Sequence, residues 1–139
     1  MVNGKSKIIG FIGLVLIVTI VFVCSYQTYL NVGIIHNYFS PKLTSVIDAE
    51  DTTDEWNPII FDGKDSINYD TIFWEKAIIN DANSDRNVLL RVKDAKGDIV
   101  IEEFQVSPGT SKHLDGLIKD TKYFFEIKAE EGQFILNAT

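Results

Sequence analysis

The feature that most restricts the fold of this chain is an uncharged, largely apolar run over residues 8–30. About 20 apolar residues in an α-helix cross the roughly 30 Å hydrocarbon core of a bilayer. The run reaches this length when its polar-aromatic end, residues 25–30, is included. It therefore predicts one transmembrane helix over residues 8–30.

The residues that flank this run predict its orientation. Lys5 and Lys7 lie before it, and Tyr26 and Tyr29 lie near its other end. Basic residues favour the cytoplasmic side of a membrane, and tyrosines are enriched at the two interfaces. We therefore expect residues 1–7 in the cytoplasm and a single-pass protein of the cell membrane, with its C-terminal domain extracytoplasmic.

A basic start followed by an apolar run is also typical of a secretory signal peptide, so cleavage stays open as an alternative. Val23 and Ser25 are suited to a cleavage point, and a lipid attached to Cys24 is a third arrangement. Signal cores usually have about 7 to 15 apolar residues, and this run is longer, which favours an uncleaved signal anchor. All three arrangements place the remaining chain outside the cytoplasm.

Charge is unevenly distributed along the chain. Residues 42–139 carry 11 basic and 20 acidic side chains, a net charge of −9. Such a domain repels phosphates, so nucleic acid is not an expected partner. Cys24 is the only cysteine and lies in the apolar run. The downstream domain therefore has no disulfide, thiolate metal site or cysteine nucleophile.

The segment between the apolar run and the domain, residues 31–57, is predicted to be a juxtamembrane tether. It contains a break at Ser40-Pro41 and an acidic stretch, DAEDTTDE, over residues 48–55. The acidic stretch has no apolar period, which indicates a solvated connection. The expected domain is therefore residues 58–139.

From Asn57 onward, apolar residues recur at every second position, and turn signals separate the runs. NVLLRVKD alternates, DAKGD and SPGT are turns, and the apolar phase slips by one at Glu102 and Glu103, as at a β-bulge. Residues 67–79 predict a central strand, and residues 59–61 predict a short edge strand. About six or seven strands without a soluble helix predict an all-β fold, a small antiparallel β-sandwich.

The alternation leaves open whether this sandwich is immunoglobulin- or fibronectin III-like or jelly-roll-like. One cadence near its end consists of Leu117, Thr121, Tyr123, Ile127 and Ala129. It resembles the corner and following strand of fibronectin type III domains. The resemblance implies structural roles for Leu117 and Tyr123, with the Tyr123 hydroxyl bonded back to the chain near the corner, and makes Trp74 a core strand tryptophan.

Two other segments, KDAKGDIV and GQFILNAT, look like the bacterial pre-peptidase C-terminal type of β-sandwich. That resemblance implies a secreted accessory module. Members of both families mostly bind or support rather than catalyse. The two resemblances therefore imply the same class of protein without naming a ligand.

DANSDRN places oxygen-bearing side chains at alternate positions, as the start of an EF-hand loop does. Arg86 stands where that loop has its glycine, and Val92 stands where it has its bidentate glutamate. An ordinary polar turn between two strands fits the same residues. Calcium is the one cofactor that the sequence leaves open, and its candidate ligands are Asp81, Asn83 and Asp85.

Two aromatic residues are candidates for ligand binding because they are not expected in the core. Phe124 lies on the polar face of its strand, and Trp56 lies in the predicted tether. Exposed aromatic rings are suited to contacts with a sugar or with a partner protein.

No residue cluster in the sequence has the make-up of a catalytic site, so an enzyme is not expected. The richness in Ile, Lys and Asn is typical of bacteria with low genomic GC content. The expected function is a non-catalytic binding or accessory module of a cell-envelope assembly, with an envelope protein or a glycan as its partner. The alternative is a secreted carbohydrate- or calcium-binding domain that is released by signal cleavage.

Overall fold

The protein is described by a computed structural model that covers residues 3–139. The chain divides into two compact units, with the boundary between Tyr38 and Phe39. The first unit is helical, and the second contains all of the β-strands found among the described residues.

The chain has two helices, α1, Gly4–Asn31, and the short α2, Gly33–Phe39, of which all but the last residue, Phe39, lie in the first unit. No residue of α1 is buried within the protein, and the helix is long and apolar enough to span a membrane. The hydroxyl groups of Thr19, Ser25 and Thr28 each donate a hydrogen bond to the carbonyl one turn earlier, at 2.8 to 2.9 Å. These bonds satisfy the three hydroxyl groups within the helix itself, without water.

The second unit is a β-sandwich whose strand pairs are all antiparallel. Its strands are β1 (Leu43–Ala49), β2 (Asn57–Pro58), β3 (Ile67–Asn68), β4 (Ala77–Asn80), β5 (Val88–Asp94), β6 (Ile99–Val106), β7 (Thr110–His113), β8 (Lys122–Lys128) and β9 (Gly132–Ala138). One sheet has the order β1-β9-β4-β7, and the other has the order β2-β8-β5-β6, with β3 also paired to β8. The predicted all-β antiparallel sandwich, preceded by one long apolar helix, is confirmed.

The strand order identifies the kind of sandwich. The last strand, β9, lies between β1 and β4, whereas the last strand of an immunoglobulin domain joins the sheet of the C and F strands. β2 and β3 are short and both pair with β8, so together they occupy one strand position. Two sheets of four positions, between which the chain passes repeatedly, form a double-sheet jelly roll.

A single hydrophobic core fills the space between the sheets. The buried apolar residues of β5, β8 and β9 are Val88, Leu90, Val92, Tyr123, Phe125, Ile127, Phe134, Leu136 and Ala138. Burying a side chain of the Val, Leu or Phe class contributes roughly 1.5–3 kcal/mol. These three strands, which belong to both sheets, therefore supply half of the buried apolar residues in the part of the chain that the structure describes.

Strand β6 is irregular where the sequence predicts a bulge. Leu90 pairs with Phe104, and Val92 pairs with Ile101, so β6 has one residue more than β5 between these pairs. The additional residue falls within Glu102-Glu103, which confirms the bulge. A bulge on an edge strand also hinders pairing with a strand of another chain.

The predicted tether is wrong in its second half. Leu43–Ala49 form β1, which pairs with β9 along its whole length. Leu43, Ile47 and Ala49 pack against the core. Their alternation is short and runs directly into the acidic stretch, so the sequence pattern does not identify it as a strand. Residues 40–42 alone separate α2 from β1. The domain therefore begins near residue 43 and not at residue 58.

The apolar stretch over residues 67–79 forms two short strands, β3 and β4, in place of one central strand. Lys76, just before β4, has a positive φ of 54°, a conformation that interrupts an extended strand. Trp74 lies between the two strands and is only partly buried, and its Nε1 donates a hydrogen bond of 3.0 Å to Asp70 Oδ1. Trp74 therefore packs at the margin of the core and not on a strand. The aromatic residue of this segment that is fully buried in the core is Tyr69.

The segment of residues 59–61 also differs from its prediction. The short edge strand, β2, lies at Asn57–Pro58, and Phe61 forms an isolated bridge with Lys64. Ile59 and Phe61 are both buried, so this segment turns inward instead of continuing the edge.

The corner before β8 has the hydrogen bond that the fibronectin resemblance implies. The backbone N–H of Ile118 donates to the hydroxyl of Tyr123 at 2.7 Å. Leu117 and Tyr123 are both buried, at 6% and 3% exposure. Lys76 Nζ also binds at this corner, where it donates a hydrogen bond of 2.8 Å to the carbonyl oxygen of Leu117. The structural roles predicted for Leu117 and Tyr123 fit this geometry.

Two buried tyrosines provide a test of the corner bond. Tyr123→Phe leaves the Ile118 N–H without its acceptor, whereas the hydroxyl of Tyr69 has no hydrogen-bond partner among residues 3–139. We expect Tyr123→Phe to lower the free energy of unfolding by about 1–3 kcal/mol and Tyr69→Phe to leave it unchanged or raise it. Urea unfolding of the full-length protein in detergent measures both values. Equal losses in the two variants would contradict the role of the corner bond.

Candidate ligand-binding face

Strands β5 and β8 lie side by side in the second sheet and present a row of outward side chains. Successive residues of a strand point to opposite faces, so the residues between the buried ones face away from the core. They form three cross-strand pairs, which are Leu89 with Lys128, Arg91 with Glu126, and Lys93 with Phe124. We name this surface the outer β5–β8 face.

Glu126 joins two cations at the centre of this face. Its Oε2 accepts a hydrogen bond from Arg91 Nε, and its Oε1 lies 2.9 Å from Lys93 Nζ. The three side chains are only 18 to 27% exposed, so solvent screens their charges less than at a free surface. Partial burial by itself raises the pKa of Glu126, but the hydrogen bonds from Lys93 and Arg91 outweigh burial and hold that pKa below its usual value. Glu126 is therefore charged at neutral pH and fixes both cations in place.

Trp56 lies over the same face. The guanidinium carbon of Arg91 is 4.4 Å from the centre of the Trp56 ring, and Lys128 Nζ is 5.9 Å from it, as in cation–π interactions. The loop before Trp56 is held by a hydrogen bond of 3.1 Å from Glu131 N to Thr52 Oγ1. Trp56 is therefore part of the sandwich surface and not of a tether.

The structure thus brings both aromatic candidates, Trp56 and Phe124, to one face. It adds three residues that sequence reasoning did not select, namely Arg91, Lys93 and Glu126. The same alternation that places Phe124 outward also places these three residues outward. They could have been selected from the sequence, because outward positions on neighbouring strands share a face.

Two open depressions lie on this face, one toward each end of the paired strands. The first has a volume of about 490 Å³, and its lining includes Pro58, Ile60, Lys93, Phe124 and Glu126. The second has a volume of about 480 Å³, and its lining includes Arg86, Leu89, Gln105, Lys128 and Glu130. Ligand pockets usually have about 300–1,000 Å³, so each depression is large enough for part of a ligand.

The candidate calcium ligands lie in the loop between β4 and β5. Asp81 Oδ1 accepts hydrogen bonds from the backbone and side-chain amides of Asn83, at 2.9 and 2.8 Å, and these bonds lower the pKa of Asp81. Asp85 Oδ2 accepts one of 2.7 Å from Gln133 N, which ties the loop to β9. Within residues 3–139, no group of three or more His, Cys, Asp or Glu side chains is arranged to hold a metal ion. Calcium binding stays a prediction, and both carboxylates have a structural role in this loop.

These features define a class of protein, with one helix of membrane-spanning length followed by a jelly-roll domain that has a charged and aromatic outer sheet face. No protein-family model, curated protein or solved structure matches the chain significantly. The resemblances to the fibronectin type III and pre-peptidase C-terminal families stay predictions.

Glu126→Gln tests whether the central carboxylate stabilises the domain through its charge. Because the folded-state pKa of Glu126 is lowered, its contribution is present above the pKa of an unfolded glutamate and is lost as the pH falls through the folded pKa. We expect the variant to lower the free energy of unfolding at pH 7 by about 1–2 kcal/mol. The loss of stability between about pH 5 and pH 3 should also become weaker. Urea unfolding across this pH range measures both effects.

Glu102→Gln is the matched control for this experiment because Glu102 is exposed on β6. It should leave both the stability at pH 7 and the acid sensitivity as they are in the wild type. The ion cluster would have no stabilising role if Glu126→Gln behaved in the same way as this control.

Proposed function

We propose that this protein is a membrane-anchored, non-catalytic binding module of a cell-envelope assembly. Its N-terminus lies in the cytoplasm, α1 crosses the membrane, and the jelly-roll domain lies outside, where it binds another envelope component. The observation that carries this proposal is the outer β5–β8 face on a domain whose chain continues from a helix of membrane-spanning length.

The residue types of that face support a role in binding. Trp and Arg are among the residues that most often supply binding energy at interfaces, and here Trp56 and Arg91 stack on each other. Glu126 holds the Arg91 side chain before any partner arrives, so binding loses less conformational freedom than it would with mobile side chains. Side chains on paired strands are also positioned more rigidly than side chains on loops.

Charge and hydropathy support the orientation. Lys5 and Lys7 lie on the flank that the positive-inside rule assigns to the cytoplasm. At the other end, α2 exposes Ile34 and Tyr38, side chains that suit a membrane interface. The net charge of −9 over residues 42–139 repels anionic head groups, which leaves the domain free to bind a partner in place of lipid. Anchoring raises the effective concentration of the domain for any partner in the same layer.

Cell fractionation with mass spectrometry of the mature protein tests the anchor. We expect the uncleaved chain in the membrane fraction after carbonate extraction, because a helix of this length does not leave the bilayer reversibly. The alternative, a secreted carbohydrate- or calcium-binding domain, requires cleavage near Cys24. A shortened chain recovered from the medium would overturn the anchor in favour of that alternative.

Site-specific photo-crosslinking in intact cells tests the binding role. A photoreactive phenylalanine analogue at position 124 lies on the outer β5–β8 face, and the same analogue at position 46 replaces the exposed Val46 on β1 of the other sheet. We expect ultraviolet light to yield a product of increased mass at position 124 and none at position 46. A product at neither position would contradict the proposed function.

A further inference from the structure

The strand pairing sorts the loops of the domain into two ends. Leu43, the first residue of β1, pairs with Ala138, the last of β9, and Asp94, the last residue of β5, pairs with Tyr123 near the start of β8. The loops at this end are residues 62–66, 69–76, 95–98 and 114–121, and the loops at the opposite end are residues 50–56, 81–87, 107–109 and 129–131. We name the first set the entry end, because the chain enters the domain there, and the second set the acidic end.

The two ends differ in charge. The loops of the acidic end contain eight acidic residues and one basic residue, a net charge of −7. The loops of the entry end contain seven acidic and four basic residues, a net charge of −3. Anionic head groups therefore repel the acidic end more strongly, and this repulsion turns the acidic end away from a bilayer.

The entry end also exposes two large apolar side chains. Ile72 is 80% exposed and Ile118 is 67% exposed, whereas the described loops of the acidic end expose no large hydrophobic side chain. Single exposed apolar residues are common on soluble domains, but two on neighbouring loops at one end of a domain mark a surface for contact.

Backbone hydrogen bonds join the two loops that carry these isoleucines. The N–H of Asp120 donates to the carbonyl oxygen of Tyr69 at 3.0 Å, and the N–H of Leu114 donates to that of Lys76 at 2.7 Å. Both isoleucines therefore lie on a backbone that is already positioned. Their insertion into an apolar phase orders little additional chain, so less conformational freedom is lost on contact.

The path of the chain indicates which apolar phase is available. Phe39, four residues before β1, packs edge-to-face on Phe73 of the entry end, with ring centres 4.6 Å apart. Phe39 follows Leu30, where the predicted membrane span ends, by nine residues. Nine residues reach at most about 32 Å when fully extended, so an anchored chain keeps the entry end close to the bilayer. The short connection raises the effective concentration of the entry end at the lipid surface.

We propose that the entry end docks on the lipid surface of the membrane that anchors the chain, with Ile72 and Ile118 inserted among the head groups. This inference rests on the proposed function, because the anchor supplies the nearby bilayer. The strands then run away from the membrane. The acidic end and the outer β5–β8 face stay clear of lipid and accessible to a partner.

The two tryptophans of the chain are natural probes of this arrangement. Trp74 belongs to the entry end, and Trp56 belongs to the acidic end. Trp56→Phe and Trp74→Phe each leave one tryptophan in the full-length protein. Both variants are reconstituted in phosphatidylcholine vesicles in which part of the lipid carries a nitroxide on its head group, a quencher of tryptophan fluorescence that acts at short range.

We expect the nitroxide lipid to quench Trp74 at least about threefold more strongly than Trp56, because apolar side chains at an interface enter the head-group boundary by about 5–10 Å. Trp74 shares an aromatic cluster with Tyr69 and Tyr123, whereas Trp56 lies over Lys128. Lys128 follows Tyr123 by five residues along β8, roughly 16 Å farther from the entry end at 3.3 Å per residue.

Serine variants identify the inserted side chains. In the Trp56→Phe background, Ile72→Ser combined with Ile118→Ser should reduce the quenching of Trp74 to the level found for Trp56. Val46→Ser is the matched control, because Val46 is 74% exposed on β1 and belongs to neither set of loops. It should leave the quenching of Trp74 unchanged. Thermal melting establishes that each variant is folded before its fluorescence is compared.

Three results would overturn the inference. Equal quenching of the two tryptophans in protein that sediments with the vesicles would exclude docking but leave the anchor intact, and the exposed isoleucines would then be open to a protein partner. Full quenching of Trp74 in the double serine variant would exclude insertion through Ile72 and Ile118. Protein that does not sediment with the vesicles would overturn the anchor together with the inference.

Discussion

The sandwich depends above all on the pairing of β9 with β1 on one side and with β4 on the other. Within the described chain β1 has no other strand partner, so β9 alone joins the first strand of the domain to the rest of its sheet. Phe134, Leu136 and Ala138 of β9 have no exposed surface, so the same strand also lies at the centre of the core. Because residues 42–139 contain no cysteine, no disulfide reinforces this arrangement.

The candidate face is a consequence of the same core. Tyr123, Phe125 and Ile127 of β8 point inward, and this fixes Phe124 and the other alternate residues on the outside. A strand with neighbours on both sides cannot slip by one residue without exchanging its buried and exposed sets. The hydrogen bond from the Ile118 N–H to the Tyr123 hydroxyl, at the corner before β8, further fixes where β8 begins. The outer face is therefore held by interactions on the opposite side of its own sheet, and this rigidity allows Trp56 to rest on a positioned Arg91.

The membrane-length helix, the alternation of β5 and β8, the bulge in β6 and the corner bond of Tyr123 could be predicted because each depends on residues near one another in the chain. Strand β1 could not be predicted, because its alternation is short, acidic residues follow it, and its partner strand lies at the other end of the domain. Phe124 could be selected from its phase on one strand. Its grouping with Trp56, Arg91 and Lys93 could not, because it depends on strand register and on the path of a loop, which local patterns do not encode.

The central position of β9 has a consequence for how the protein is made. β1 is synthesised soon after the membrane-length helix, whereas its partner is the last strand of the domain to appear. During that interval one long strand has no partner. Domains held by contacts between distant parts of the chain fold slowly, in roughly milliseconds to seconds, and unpaired edges promote aggregation in the meantime. Under the proposed anchoring, the nascent chain is fixed in a bilayer early, and this attachment limits encounters between unfinished copies.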